Sequence, residues 1–273
     1  MHKVLMRLLP SLLLGASSLA TAEEPKPAFT LSSNAYLVSD YLYRGQTQTW
    51  GKPAIQAGFD LSHASGLYLG TWASNVSGNQ FAGGSLEIDL YGGYNGKISD
   101  DIGYSAGFLY YYYPGANYNK ISGCTTCIDE KYDTLEANVG GNWKWVSGKL
   151  SYAITDYFGL NQNTAGLNSD SKGTVYLEGN ANYPLMEGLT LVGHIGYTNF
   201  SEESAAPVNG ETNLSFADWK LGLSYTMKDG WTAGAYYVDT TNKDFWKNAA
   251  SVANSDRKDL NRSTLYITFG RTF

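Results

Sequence analysis

Apolar and polar residues alternate along most of the chain with a period of two, and helical periodicity is nearly absent. Ile55, Ala57, Phe59 and Leu61 oppose Gln56, Gly58 and Asp60, and Leu86, Ile88 and Leu90 oppose Glu87, Asp89 and Tyr91. Leu135, Ala137, Val139 and Trp143 oppose Glu136, Asn138, Gly140 and Asn142; Trp219, Leu221, Leu223 and Tyr225 oppose Lys220, Gly222, Ser224 and Thr226. Successive strand side chains point to opposite faces, so each segment reads as a strand with one apolar and one polar face. The pattern predicts strands at 29–44, 54–62, 67–75, 85–94, 102–112, 135–143, 149–158, 174–183, 189–198, 215–226, 231–238 and 262–273. Most are about as long as a tilted strand needs to cross a bilayer, and longer than the soluble average of about 5–6 residues.

Alternation alone does not choose a solvent, because a soluble sandwich shows it too. The connections do choose. Segments 45–53, 76–84, 113–134, 159–173, 199–214 and 239–261 alternate with 63–66, 95–101, 144–148, 184–188 and 227–230, and every member of the first set is the longer. Long loops at one end and short turns at the other are the mark of an all-β, up-and-down transmembrane barrel of about twelve strands. Aromatics near strand ends (Tyr41, Tyr43, Trp72, Tyr110 to Tyr113, Trp143, Trp145, Tyr157, Phe158, Tyr236, Tyr237) fit the interfacial girdles of such barrels.

The two ends of the chain agree. Lys3 and Arg7 precede an apolar run over 8–19, and Ala20-Thr21-Ala22 is a small-x-small cleavage site, so 1–22 reads as a secretory signal. The run holds Pro10 and falls short of the roughly 20 residues of a membrane anchor. A polar lead at 23–28 then opens a barrel over 29–273. The last strand places Leu265, Ile267, Phe269 and Arg271 on one face and closes on Phe273, an ending that resembles the assembly signal of bacterial outer-membrane barrels.

Composition removes other classes. Charged residues are 16% of the chain against about 25% in ordinary domains, aromatics are 14%, and the net charge is −6. An acidic, aromatic-rich chain is a poor partner for nucleic acid and a poor candidate for disorder. Mean hydropathy of −0.29 argues against a helical bundle in a membrane but not against a barrel, whose apolar residues occupy every second position.

Several blocks carry a family resemblance. They are Val38-Ser-Asp-Tyr-Leu-Tyr-Arg-Gly-Gln-Thr-Gln48 with Pro53-Ala-Ile-Gln, Gly66-Leu-Tyr-Leu-Gly-Thr-Trp-Ala-Ser-Asn-Val76, Glu87-Ile-Asp-Leu-Tyr-Gly-Gly-Tyr94, Tyr112-Tyr-Pro-Gly115 and Asp218-Trp-Lys-Leu-Gly222. Together they resemble the TorF-type porin family of conserved hypothetical outer-membrane proteins, across essentially the whole exported chain. The resemblance implies an outer-membrane barrel that acts as a channel; it implies no substrate and no catalytic residues.

The candidate pore-lining residues are Asp40, Arg44, Asp60, Trp72, Glu87, Asp89, Glu136, Glu178, His194, Asp218 and Lys220. Acids outnumber bases among them, and a wall of one sign favours counter-ions, so a weak cation preference is expected. The alternative is that Arg44 and Lys220 pair with neighbouring acids and brace the wall. Glu87 and Asp89, about 7 Å apart on one strand face, match the spacing of an inverting glycosidase, but alternation puts any two such acids at that distance. His194 faces inward and no Gly-x-Ser-x-Gly is present, so no lipid-facing serine–histidine pair is formed. Cys124 and Cys127, exported together in a loop, are expected to form a disulfide; a redox motif or half a zinc site would each need further partners. No cofactor or metal is implied. Phe245 and Trp246 in the last loop either fold into the mouth or bury against other loops. The expected partners are outer-membrane lipid, small solutes and, through Phe273, the barrel assembly machinery. The expected activity is passive diffusion of small solutes, not an enzyme's; the alternatives are a non-conducting structural or surface-binding barrel and a lipid-active one.

Overall fold

The computed structural model describes residues 27–273, so the expected signal and most of the polar lead lie outside the described residues. Twelve antiparallel strands form one closed barrel: β1 (Phe29–Val38), β2 (Ala54–His63), β3 (Leu67–Asn75), β4 (Leu86–Lys97), β5 (Ile102–Tyr112), β6 (Thr134–Trp143), β7 (Val146–Ala153), β8 (Val175–Met186), β9 (Leu189–Asn199), β10 (Phe216–Thr226), β11 (Trp231–Thr240) and β12 (Thr264–Thr272). Each pairs with its chain neighbours, and β1 closes on β12 in the register Asn34↔Thr272 to Val38↔Thr268. The terminal Phe273 donates its backbone N–H to Ser33 O at 2.7 Å, so the chain end completes the seam. Closure leaves no unpaired edge, which a span through hydrocarbon requires.

The alternation becomes a barrel turned inside out. Outward residues such as Leu69, Ile195 and Leu265 are 63%, 64% and 67% exposed, whereas inward Asn34, Asp60, Glu87, Glu136 and Asp218 are all buried. Among the described residues no helix is long and apolar enough to cross a membrane, so the outward apolar belt is made by strands alone. Turns 64–66, 98–101, 144–145, 187–188 and 227–230 occupy one end, and loops 39–53, 76–85, 113–133, 154–174, 200–215 and 241–263 the other, in the expected order.

Two expected strands are corrected. The first stops at Val38 rather than reaching residue 44, because Ser39 to Trp50 fold inward as a small hairpin pairing Leu42 with Thr47 and Tyr43 with Gln46. Its two central residues, Arg44 and Gly45, have φ of 47° and 79°, the conformation of a tight two-residue turn. The seventh strand is Val146–Ala153 rather than 149–158; Tyr157–Gly159 is a 3-10 turn with Phe158 at φ 53°. The aromatic girdle is corrected in consequence. Tyr41, Tyr113 and Tyr157 are buried in the loop-end mouth, while Trp143 and Trp145 are exposed beside a short turn.

Candidate functional site

The inward hairpin sets the shape of the lumen. Its base is fixed by Asp40, whose carboxylate accepts from the Thr47 and Thr49 hydroxyls at 2.7 and 2.9 Å and from Arg262 at 3.0 Å. Its tip crosses the lumen. The Arg44 guanidinium donates to both oxygens of Glu136 on β6 at 2.8 Å and to the Tyr157 hydroxyl at 3.0 Å. The same guanidinium lies over the Tyr176 ring, 4.2 Å from its centre, and near the rings of Tyr43 and Tyr157. Burial pushes the Tyr157 phenol up to about 12 against the opposing pull of Arg44, so it meets the guanidinium as a neutral hydroxyl. Gly45 is wedged against the far wall: a Cβ there would lie 2.5 Å from Thr240 Cγ2 and 2.8 Å from Asp218 Cβ. Only glycine combines that fit with its backbone angle.

Loop residues close the mouth over the hairpin. Phe81 stacks on Tyr113, and Tyr118 on Tyr132. Trp246 packs against Phe200 and Phe216 and donates its indole N–H to Leu214 O at 3.1 Å, so the last loop buries against its neighbours. Cys124 and Cys127 form a disulfide in the 113–133 loop.

Below the hairpin the two sides of the wall differ. On β7 to β10 acids and bases interleave: Lys149 to Glu178 at 2.8 Å, and His194 Nε2 to Asp218 at 2.9 Å, with Tyr176 bonded to both members of the second pair. Lys220 sits over the Tyr236 ring at 5.4 Å. On β2 and β4 lie Asp60, Glu87 and Asp89. Tyr91 donates to Asp60, and Tyr41 and Tyr113 donate to Glu87. Among the described residues none of these three carboxylates has a basic partner within salt-bridge distance, and Asp60 Oδ2 and Asp89 Oδ1 have no hydrogen-bond partner.

The structure brings all the inward candidates into one lumen, but along two routes. Asp60, Trp72, Glu87, Asp89, Glu136, Glu178, His194, Asp218 and Lys220 stand on strands, whereas Asp40 and Arg44 arrive on the hairpin instead of on the first strand. Arg44 is committed to Glu136 and braces the wall. Glu87 is 1% exposed with both oxygens accepting from phenols, which locks it in place rather than offering it to a substrate. Lys149 and the lumen tyrosines 41, 111, 157 and 176 were not among the sequence candidates. Lys149 shares parity with Ser147 and Ser151, and the register of β7 on β8 places it directly opposite Glu178. Among the described residues no three His, Cys, Asp or Glu side chains are gathered so as to hold a metal ion.

The family model described as "Bacterial protein of unknown function (Gcw_chp)" matches residues 22–273. No curated protein matches the chain in sequence. Similar solved structures include "KdgM porin in complex with disordered oligogalacturonate" (10% identity, TM-score 0.50, covering 89% of this chain and 98% of that one). Others are a NanC porin (12%, 0.49, 89% and 99%) and Pseudomonas aeruginosa OprD (12%, 0.41, 90% and 67%). At such identities the likeness shows the fold, which is that of porins.

Proposed function

We propose that this chain, which belongs to the Gcw_chp family of bacterial proteins, is an outer-membrane channel for small solutes, narrowed by its first loop and preferring cations. The observation that supports it best is the pairing of an apolar outer belt with a lumen whose β2–β4 wall carries carboxylates without basic partners. Fixed charge of one sign in a low-dielectric tube raises the local concentration of counter-ions. The TorF-type resemblance and the porin-like fold agree with this reading. In it, the long loops face outside the cell, the short turns face the periplasm, and Phe273 at the seam is the segment offered to the assembly machinery.

The buried hairpin favours a second reading, a non-conducting barrel: Thr47 is fully buried and the Arg44 side chain is 6% exposed. Planar-bilayer recording of the purified protein separates the two. The channel reading expects discrete steps and a reversal potential in a salt gradient displaced toward the cation's equilibrium value. Absence of steps supports the plugged barrel, and a displacement toward the anion's value overturns the selectivity. Asp60→Asn with Asp89→Asn is expected to reduce the displacement without abolishing the steps.

A further inference from the structure

Directly beneath the hairpin the lumen holds a cavity of about 260 Å³ walled by the rings of Tyr36, Tyr41, Trp72, Tyr236 and Tyr266. These rings come from β1, the hairpin, β3, β11 and β12, so the hairpin completes a surround that the strands begin. Tyr41 meets Trp72 edge-on at 5.4 Å, and Tyr236 lies parallel to Tyr266 at 5.1 Å. Two acidic side chains, Glu87 and Asp89, stand nearby. The Tyr41 hydroxyl donates a hydrogen bond to Glu87, and Trp72 pairs across the strands with Asp89, whose side chain therefore stands beside the indole on the inward face. Asp89 is 8% exposed and its Oδ1 has no hydrogen-bond partner among the described residues.

We propose that this cavity binds a small organic cation, a substituted ammonium group. Ring faces attract cations through their quadrupole, and clustered rings are how quaternary ammonium ligands are recognised. Lys220 already holds its own ammonium over Tyr236, so the rings left to a ligand's charge are those of Tyr36, Tyr41 and Trp72. A cation asks only for ring faces and unpaired carboxylate nearby. An anion meets Glu87 and Asp89. The proposal deepens the cation-preferring reading and names the class of solute it would favour.

The test is calorimetric titration of the purified full-length barrel in detergent with tetramethylammonium chloride, beside potassium chloride, glucose and sodium acetate. Saturable binding of tetramethylammonium alone is expected. Trp72→Leu should weaken it about tenfold and Asp89→Asn severalfold, while Trp72→Phe stays close to the parent, because the ring face and not the indole N–H is used. Heat-modifiable migration on gels confirms that each variant is folded. No saturable binding, binding indifferent to Trp72→Leu and Asp89→Asn in folded protein, or glucose binding in its place overturns the proposal. Because the titration needs no membrane, its outcome is independent of conductance. Steps without tetramethylammonium binding sink only the site, and binding without steps sinks only the channel.

Discussion

Arg44 sits at the tip of the hairpin with a left-handed backbone, and its charge is buried with that of Glu136. Burying two charges is costly, and removing one partner is costlier, because the other remains desolvated and alone, at about 3–5 kcal/mol. Arg44→Ala is therefore expected to undock the hairpin while leaving the strand ladder intact. In bilayer recordings, single-channel conductance should rise, and chymotrypsin should cut within residues 41–50 of the folded protein. Adding Glu136→Gln to Arg44→Ala should restore part of the docking by removing the stranded charge. Gly45→Ala should behave like Arg44→Ala, since its methyl collides with the far wall. Unchanged conductance and proteolysis in both variants would show that the hairpin is held by its base at Asp40 alone. The identity of these residues was legible in the sequence, and their partnership was not: Arg44 and Glu136 are far apart in the chain, and which acid a base will meet across a lumen depends on the closure of the barrel.

At the level of elements the alternation is strong because one face meets oil and the other water, so the strands and the order of loops and turns could be read directly. It misled where its cause was absent. Beyond Val38 the sequence Ser39-Asp-Tyr-Leu-Tyr-Arg44 continues to alternate, yet Tyr41, Leu42 and Tyr43 meet the interior and not lipid. The Arg44-Gly45 pair was the available signal for a turn, weaker than the Asn-Gly or Asp-Gly that usually marks one. Residues 154–158 misled in the same way, their aromatics packing into the mouth. The two faces of a true strand make a direct prediction. Leu221, on the outer face of β10, is 53% exposed. Leu221→Arg should cost about 2–4 kcal/mol in a lipid unfolding titration if that face lies near the bilayer midplane. Asn138→Arg, on the lumen face of β6, should leave stability nearly unchanged and shift selectivity toward anions. Equal stability of the two variants in lipid would argue that the belt does not face hydrocarbon.

For the whole molecule, the lumen is sealed by degrees along its axis. Toward the long loops the inward side chains are almost wholly covered: Thr134 and Thr198 are fully buried, and Glu87, Glu136 and Asp218 are nearly so. Toward the short turns, inward Asn142 is exposed and the Lys149 side chain is 44% exposed, while Asn138 and Asn182 are half-buried. The barrel is thus a well, open at the turn end, with the hairpin as its lid and the aromatic cavity just beneath. A conducting path past the hairpin must be narrower than the path up to it. A cation too large for the constriction should consequently enter from one end only. In a bilayer containing one barrel, tetrapropylammonium added on the turn side should enter as far as the hairpin and block the current, increasingly so as voltage drives it inward. Added on the loop side at the same concentration, it should leave the current unchanged. Replacing residues 42–47 with Gly-Gly removes the lid, so this variant should conduct more and be blocked from either side or neither. Equal block from both sides of the parent protein would mean that the hairpin does not form the constriction, and the narrowest point would then have to be sought among the strand residues themselves.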